Sequence, residues 1–452
     1  MAQNLENKLP KKIFIKTFGC QMNEYDSDRI RDITEKNGFT TSNDIKKSDC
    51  FIINTCHIRE KATEKVFHEI GRIKKIFRNK KKPLIIVTGC VAQAEGEVLL
   101  SREKYIDAIV GPQSYQKINK VIENLEKRKS KIDETKFDVM DKFDQLHFVK
   151  NKNNKVSSFI TIQEGCDKFC KFCVVPYTRG PENSRSIEHI ISEANTLVSN
   201  GSKEITLLGQ NVNAYNYKEK RLSFLINELE KIKNLERIRY TTSHPNDMTQ
   251  DLIKMYSTSK KLMPLLHLPV QSGSNKILKL MNRKHDVNFY LNIISQLKKN
   301  NINMKFSSDF IIGYPGETKE DFNASIELLL KVNFIQTFSF VYSPRPGTPA
   351  SNAKQFELVE NKKRLMQFQK IATQIKTDYR KNLVGTSAKT LFENKLPNQN
   401  KYFGRDEYSN SVIVESNDNL VGRIANVKIL KANNQTLFGE KIGIKNEREF
   451  AA

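Results

Sequence analysis

The chain is short of acidic residues: 51 Asp and Glu stand against 75 Lys and Arg, a formal net charge of +24 over 452 residues. An imbalance of this size calls for an anionic partner, and nucleic acid is the usual one. The alternative is a lysine-rich composition that only solvates surfaces. No long segment joins a basic face to a strongly apolar one, which argues against a membrane surface. Long hydrophobic runs are also missing, since Phe51-Ile52-Ile53 and Leu84-Ile85-Ile86-Val87 fall far short of the roughly 20 residues a membrane-spanning helix needs. Met1 to Lys12 holds no apolar signal region, and the cysteines number seven, which is odd. A secreted disulfide scaffold is therefore not expected, and a reducing cytoplasm is. The length suggests two or three domains.

What is present is organised around Cys166-Asp167-Lys168-Phe169-Cys170-Lys171-Phe172-Cys173, three cysteines spaced C-x3-C-x2-C, with an apolar strand before them and Val174-Val175-Pro176-Tyr177 after. Thiolates this close can ligate one metal centre, and three thiolates on a four-iron cluster leave one iron open. A zinc knuckle with a distant fourth ligand and a redox disulfide are the other readings. The spacing resembles that of the radical S-adenosylmethionine (SAM) superfamily, in which the open iron chelates the methionine part of SAM.

Residues 11–127 repeat a pattern of strand, cysteine and helix. Ile13 to Gly19 runs into Cys20, Phe51 to Thr55 into Cys56, and Leu84 to Gly89 into Cys90, the cysteines being separated by 36 and then 34 positions. That interval suits one βα unit, and such units build a doubly wound parallel sheet whose ligands sit beyond the carboxyl ends of the strands. All three cysteines fall there, so a second metal site is expected. Buried cysteines acting as small hydrophobes, or zinc completed by His57, are the alternatives. Cys50 opens its strand and reads as structural. Residues 128–156 are rich in Lys, Asp and Asn and read as a linker.

From 157 to about 350 six strands alternate with helices: Phe159–Gln163, Glu204–Leu208, Arg237–Thr242, Leu265–Val270, Met304–Ile312 and Thr337–Val341. Six βα units give a partial, open (β/α)6 barrel, and the polar or small residues leaving each strand mark the face that carries an active site. Phe356 to about Leu383 reads as a long charged helix, so this core is taken as 157–383. Residues 384–446 switch to short strands separated by Asn, Asp and Gly, the pattern of a small antiparallel β-barrel. Lys401, Arg405, Lys428 and Lys431 would give it charge for nucleic acid. A capping domain without a ligand is the alternative.

Longer motifs carry a resemblance. Thr17-Phe18-Gly19-Cys20-Gln21-Met22-Asn23, Asn54-Thr55-Cys56-His57-Ile58-Arg59-Glu60, Cys166 to Gly180, Leu208 to Tyr215, Thr242-Ser243-His244-Pro245, Leu268 to Gly273 and Tyr342 to Pro349 resemble the methylthiotransferase family of radical SAM enzymes over nearly the whole chain. Gly404 to Tyr408 and Leu437-Phe438-Gly439 resemble the TRAM domain. Asn211 and Asn213 resemble the tRNA branch more than the branch that modifies a ribosomal protein.

The resemblance implies that Cys166, Cys170 and Cys173 hold a 4Fe-4S cluster that turns SAM into a radical source. It implies a second 4Fe-4S cluster on Cys20, Cys56 and Cys90, which carries sulfur that a second SAM methylates. The substrate would be isopentenyl-adenosine next to the anticodon of tRNA, converted to its 2-methylthio derivative; threonylcarbamoyl-adenosine in tRNA or a ribosomal protein is the alternative. By analogy with the superfamily, Phe172, Gly209, Ser243, Gln271 and Gly313 line the SAM site. No catalytic residue beyond the cluster ligands is assigned. An electron donor protein such as flavodoxin or ferredoxin and a sulfur donor would be partners, while DNA and membrane would not.

Overall fold

The computed structural model describes residues 11–56, 62–128, 130–136, 155–354 and 358–442. Short apolar runs build a six-stranded, all-parallel sheet in the order Thr40–Thr41, Lys12–Thr17, Cys50–Thr55, Leu84–Gly89, Ala108–Val110, Ile132–Glu134. Every residue of Cys50–Thr55 is buried, as a strand covered on both faces requires. Ala62–Ile76 and Cys90–Arg102 cover the face formed by Phe51, Ile53, Ile85 and Val87. Gln21–Lys36 and Ile118–Arg128 cover the face of Ile52, Ile86 and Val110. The expected doubly wound sheet is therefore present. Its strand order reverses between Lys12–Thr17 and Cys50–Thr55, and the crevice outside such a reversal is where open α/β sheets bind ligands.

One detail corrects the sequence reading. Within the stretch taken as a linker, Ile132–Glu134 pairs with Ala108–Val110 as the sheet's edge. Two of its three residues are acidic, which suits an exposed edge and hides the strand from an apolar-pattern search.

Six parallel strands then follow one another in space in chain order. Ser157–Thr161, Glu204–Leu208 and Arg237–Tyr240 form one sheet, and Leu265–His267, Lys305–Ile312 and Gln336–Val341 form the next. The Ile238 backbone joins them, its N–H donating to the Lys261 carbonyl at 2.7 Å and its carbonyl accepting from Met263 at 3.0 Å. Among the described residues no pairing links the last strand to the first, so the barrel is open, as expected for six units. Several of its helices start at capping side chains: Ser186 accepts from the His189 N–H, Asp286 from Phe289, and Thr318 forms a capping box with Asp321.

Leu358–Lys381 packs its buried Phe368 against Phe310, ring centroids 4.7 Å apart, and leads into a closed five-stranded barrel. That barrel runs Ser387–Lys395, Lys401–Arg405, Ser411–Glu415, Thr436–Lys441, Ile424–Ala432 around a core of Phe392, Val412, Val414, Val427 and Leu437. Its pairings are antiparallel except between Ser411–Val414 and Thr436–Gly439. Arg237 and Arg239 bind it to the open barrel: Arg237 Nη1 donates to the Arg405 carbonyl at 2.9 Å and Nη2 to that of Lys389 at 2.7 Å, while Arg239 reaches Glu407 and Asp406. Among the described residues no helix is long and apolar enough to cross a membrane.

Candidate active site between two cysteine sets

The three-cysteine loop leaves the first barrel strand and is tied down at several points. The Cys166 N–H donates to the Gly180 carbonyl at 3.1 Å, Lys171 N–H to Met281 at 3.0 Å, and Ala350 N–H to the Lys171 carbonyl at 3.0 Å. Lys168 Nζ pairs with Asp247 Oδ1 at 2.8 Å, and Asn282 Nδ2 holds the Phe169 carbonyl at 2.9 Å. Gly165 makes the entry possible: at φ +77, a Cβ there would lie 1.8 Å from the Pro181 carbonyl oxygen. Burial pushes the Cys166 and Cys173 thiols up to about 12. Arg283, itself buried, aims Nη1 at Cys170 Sγ from 3.6 Å while Nη2 grips the Pro269 carbonyl at 2.6 Å. Sequence gave no hint of Arg283, because no spacing rule connects residues 113 apart.

Around this loop, buried polar atoms at the strand ends have no partner among the described residues: Asn211 Oδ1, Ser243 Oγ, His244 Nε2 and Glu317 Oε2. Such atoms cost stability unless a ligand or water meets them, so this rim suits a polar ligand of SAM's kind. Burial, with Arg283 nearby, pushes the His244 imidazole far below its ordinary range, leaving it neutral.

The other expected SAM residues are spread along the same rim. Phe172 packs beside Met281, Tyr314 and Tyr342. Gly209 lies so close to Gln163 that a Cβ would fall 2.7 Å from its Oε1. Gln271 takes a left-handed φ of +78 where its backbone pairs with Asp309 and Ile311. Gly313 has φ +71, and the side of its Cα where a Cβ would sit is filled by Asn361. Asn213 clamps the His244 backbone with two hydrogen bonds, of 2.8 and 2.9 Å.

At the end of the N-terminal sheet, two glycines bring the other cysteines in. Gly19 and Gly89 both have positive φ; a Cβ on the first would lie 2.5 Å from Cys56 Cβ, and on the second 2.2 Å from the Thr55 carbonyl oxygen. Cys20 and Cys56 touch, and the hydrogen bond from Cys56 is the main cause that draws the Cys20 thiol down to about 6, with Asn23 and Arg179 assisting against burial. The helix that begins at Cys90 packs on Val175–Arg179, the helix that directly follows Cys173. The two cysteine sets therefore meet across one boundary. Cys50 sits at the far end of its strand in the sheet core, where burial pushes its thiol up. His57 lies outside the described residues.

Among the described residues no three His, Cys, Asp or Glu side chains stand close enough to share one metal ion. A four-iron cluster puts each thiolate on its own iron and so accepts a wider triangle of sulfurs than a single ion does. Two thiol triplets, each beside a buried arginine and each with no fourth thiol, fit that group better than zinc.

The fold and this site define a radical SAM enzyme with an added N-terminal sheet and a small closed C-terminal β-barrel. Residues 160–329 match the radical SAM superfamily, 12–111 the uncharacterised family UPF0004, and 383–442 the TRAM domain. The chain belongs to the tRNA-2-methylthio-N(6)-dimethylallyladenosine synthases: it is 57% identical to the protein of that name from Pelagibacter ubique, over 95% of this chain and 97% of that one. It is 48% identical to the one from Rickettsia typhi, over 96% and 100%. Among solved structures, the radical SAM methyltransferase TsrM from Kitasatospora setae aligns with a TM-score of 0.56 at 11% identity, over 76% of this chain and 77% of that one, which is a likeness of fold alone.

Proposed function

We propose that this chain acts on tRNA as its relatives are named, converting N6-dimethylallyl-adenosine (the isopentenyl-adenosine of the sequence reading) to the 2-methylthio form. The observation that carries this is the meeting of two cysteine triplets at one domain boundary, in a chain whose 57% identical relative bears that name. Cys166, Cys170 and Cys173 would hold one 4Fe-4S cluster, and Cys20, Cys56 and Cys90 the other. The groups they hold supply, when bound, an electron to cleave SAM and sulfur for the new carbon–sulfur bond, with a second SAM as methyl donor. Within this scheme the chain is divided as 11–127, a linker whose Ile132–Glu134 adds the edge strand of the N-terminal sheet, 157–383 and 384–446.

The chain's own residues do the rest. Lys168, Lys171 and Asn282 fix the cysteine loop, while Arg283 places an N–H against the Cys170 sulfur, an interaction that favours the more negative, reduced state of a bound cluster. The unpartnered atoms of Asn211, Ser243 and Glu317 supply polar partners for SAM, and Phe172 on the cysteine loop offers a ring. The aromatic C–H that must be replaced resists polar attack, so exclusion of water and exact placement are what the protein contributes. The target adenosine has to leave its stack to reach a site among buried side chains. An electron donor protein, a sulfur donor and a cytoplasmic setting complete the proposal.

Mass spectrometry of tRNA from a strain lacking the gene tests it. Loss of the 2-methylthio group from dimethylallyl-adenosine, restored by the wild-type gene, is the expected result; unchanged nucleosides would reject the substrate assignment.

A further inference from the structure

Arg179 lies at the end of the helix that follows Cys173, yet its side chain serves the other cysteine set. It is 2% exposed. Nη2 donates to Asp26 Oδ2 at 2.9 Å and Nη1 to Glu164 Oε1 at 3.3 Å, while its backbone carbonyl accepts from Gln113 Nε2 at 3.0 Å. Asp26 sits on the helix that starts after Cys20; Glu164 sits on the entry to the Cys166 loop. The helix that begins at Cys90 packs on the helix that ends at Arg179, and the guanidinium charge favours the negative form of Cys20. One buried side chain thus links the helix that starts after Cys20 to the entry of the Cys166 loop, and an arginine offers the fixed fork of donors such a junction needs.

We infer that Arg179 is a positioning residue: it holds the Cys20, Cys56 and Cys90 site in register with the Cys166 to Cys173 loop, and it offsets the negative charge that thiolates and two buried carboxylates collect there. The inference rests on the two-cluster reading above. A nearby positive charge favours the more negative, reduced state of an iron–sulfur cluster, and a nearby carboxylate disfavours it. Arg179→Gln is therefore expected to lower the reduction potential of the cluster on the N-terminal sheet, and Asp26→Asn to raise it. Damage to packing alone would move both in one direction. Arg179→Lys, which keeps the charge and loses the fork, should recover the potential but not the register.

The experiment uses full-length, anaerobically reconstituted protein: wild type, Arg179→Gln, Arg179→Lys and Asp26→Asn. Two quantities are read, the potential of each cluster by EPR-monitored titration and the ratio of methylthiolated nucleoside to 5′-deoxyadenosine. Opposite shifts in the Gln and Asn variants are expected, confined to the N-terminal cluster, with the ratio in Arg179→Gln falling about tenfold or more. If Arg179→Gln does not fold, Arg179→Lys and Asp26→Asn still decide, the first through the product ratio and the second through the sign of its shift. Shifts of the same sign in Gln and Asn, a downward or absent shift in Asn, or an unchanged ratio in both Arg179 variants would overturn the role of Arg179. A wild-type protein with only one cluster would overturn the two-cluster reading and this inference with it.

Discussion

Gly89 shows how far a single residue can decide the site. It joins a buried strand to the helix that begins at Cys90, its φ is +94, and the Thr55 carbonyl occupies the place of any Cβ. Gly89→Ala is expected to cost about 3 kcal/mol of stability, since it combines backbone strain with overlap against backbone. Chemical denaturation would measure that, and iron analysis should show the N-terminal cluster lost before the other. A variant as stable as wild type would mean the strand ends are less tightly joined than the structure shows. The glycine was legible as part of Leu84 to Gly89 running into Cys90, but its reason was not, because sequence does not say which carbonyl lies opposite. The same holds for Asn213: the motif marked it, and only the structure shows that it clamps the His244 backbone. Arg179 stands in the cysteine motif, and only the structure shows that its side chain is taken up by Asp26 and Glu164.

At the scale of elements, the helix Lys319–Val332 links stability to pH. Burial pushes the Asp321 carboxyl up, but hydrogen bonds from Lys276, Ser274 and Thr318 outweigh it and hold the group at about 2 against an ordinary 3.8. A folded value below the unfolded one adds stability that is fully present above about pH 4 and is lost as pH falls toward 2. Thermal melts of Asp321→Asn should therefore lie below wild type at pH 7 and converge with it near pH 2; a constant difference across that range would deny the linkage.

The C-terminal barrel has a different test. Arg405 is committed to Glu393 at 2.8 Å and so is a poor phosphate contact, whereas Lys428 and Lys431 are exposed. Lys428→Glu with Lys431→Glu should weaken tRNA binding and reduce its salt dependence by about one to two released counterions, leaving the melting temperature within about a degree or two. Unchanged affinity would make the barrel a cap. Deleting the barrel is a poorer experiment, because it would strip the carbonyl partners from Arg237 and Arg239. Most strands were legible from apolar runs and length, Glu204–Leu208 to the residue. Ile132–Glu134 and Lys401–Arg405 were not, being short and half charged.

For the molecule as a whole, the sequence showed two cysteine triplets but not that they share a boundary. Buried ion pairs cross that boundary, Arg29 with Glu193 at 2.6 Å and Arg179 with Asp26 at 2.9 Å, and Arg185 and Glu164 join them from the barrel side. No periodicity or spacing links residues about 160 positions apart, so the docking became visible only in three dimensions. Breaking a buried pair on one side is costly, about 3–5 kcal/mol, which helps to hold the two domains together. The central claim is that both triplets are needed, for different parts of one reaction. Full-length protein with Cys20, Cys56 and Cys90 all changed to Ala, reconstituted anaerobically and supplied with SAM and dimethylallyl-adenosine tRNA, tests it most directly through iron content, 5′-deoxyadenosine and methylthiolated nucleoside measured together. About four irons in place of about eight, continued SAM cleavage and no methylthiolated product are expected; a full iron complement, or methylthiolated tRNA from that variant, would contradict it.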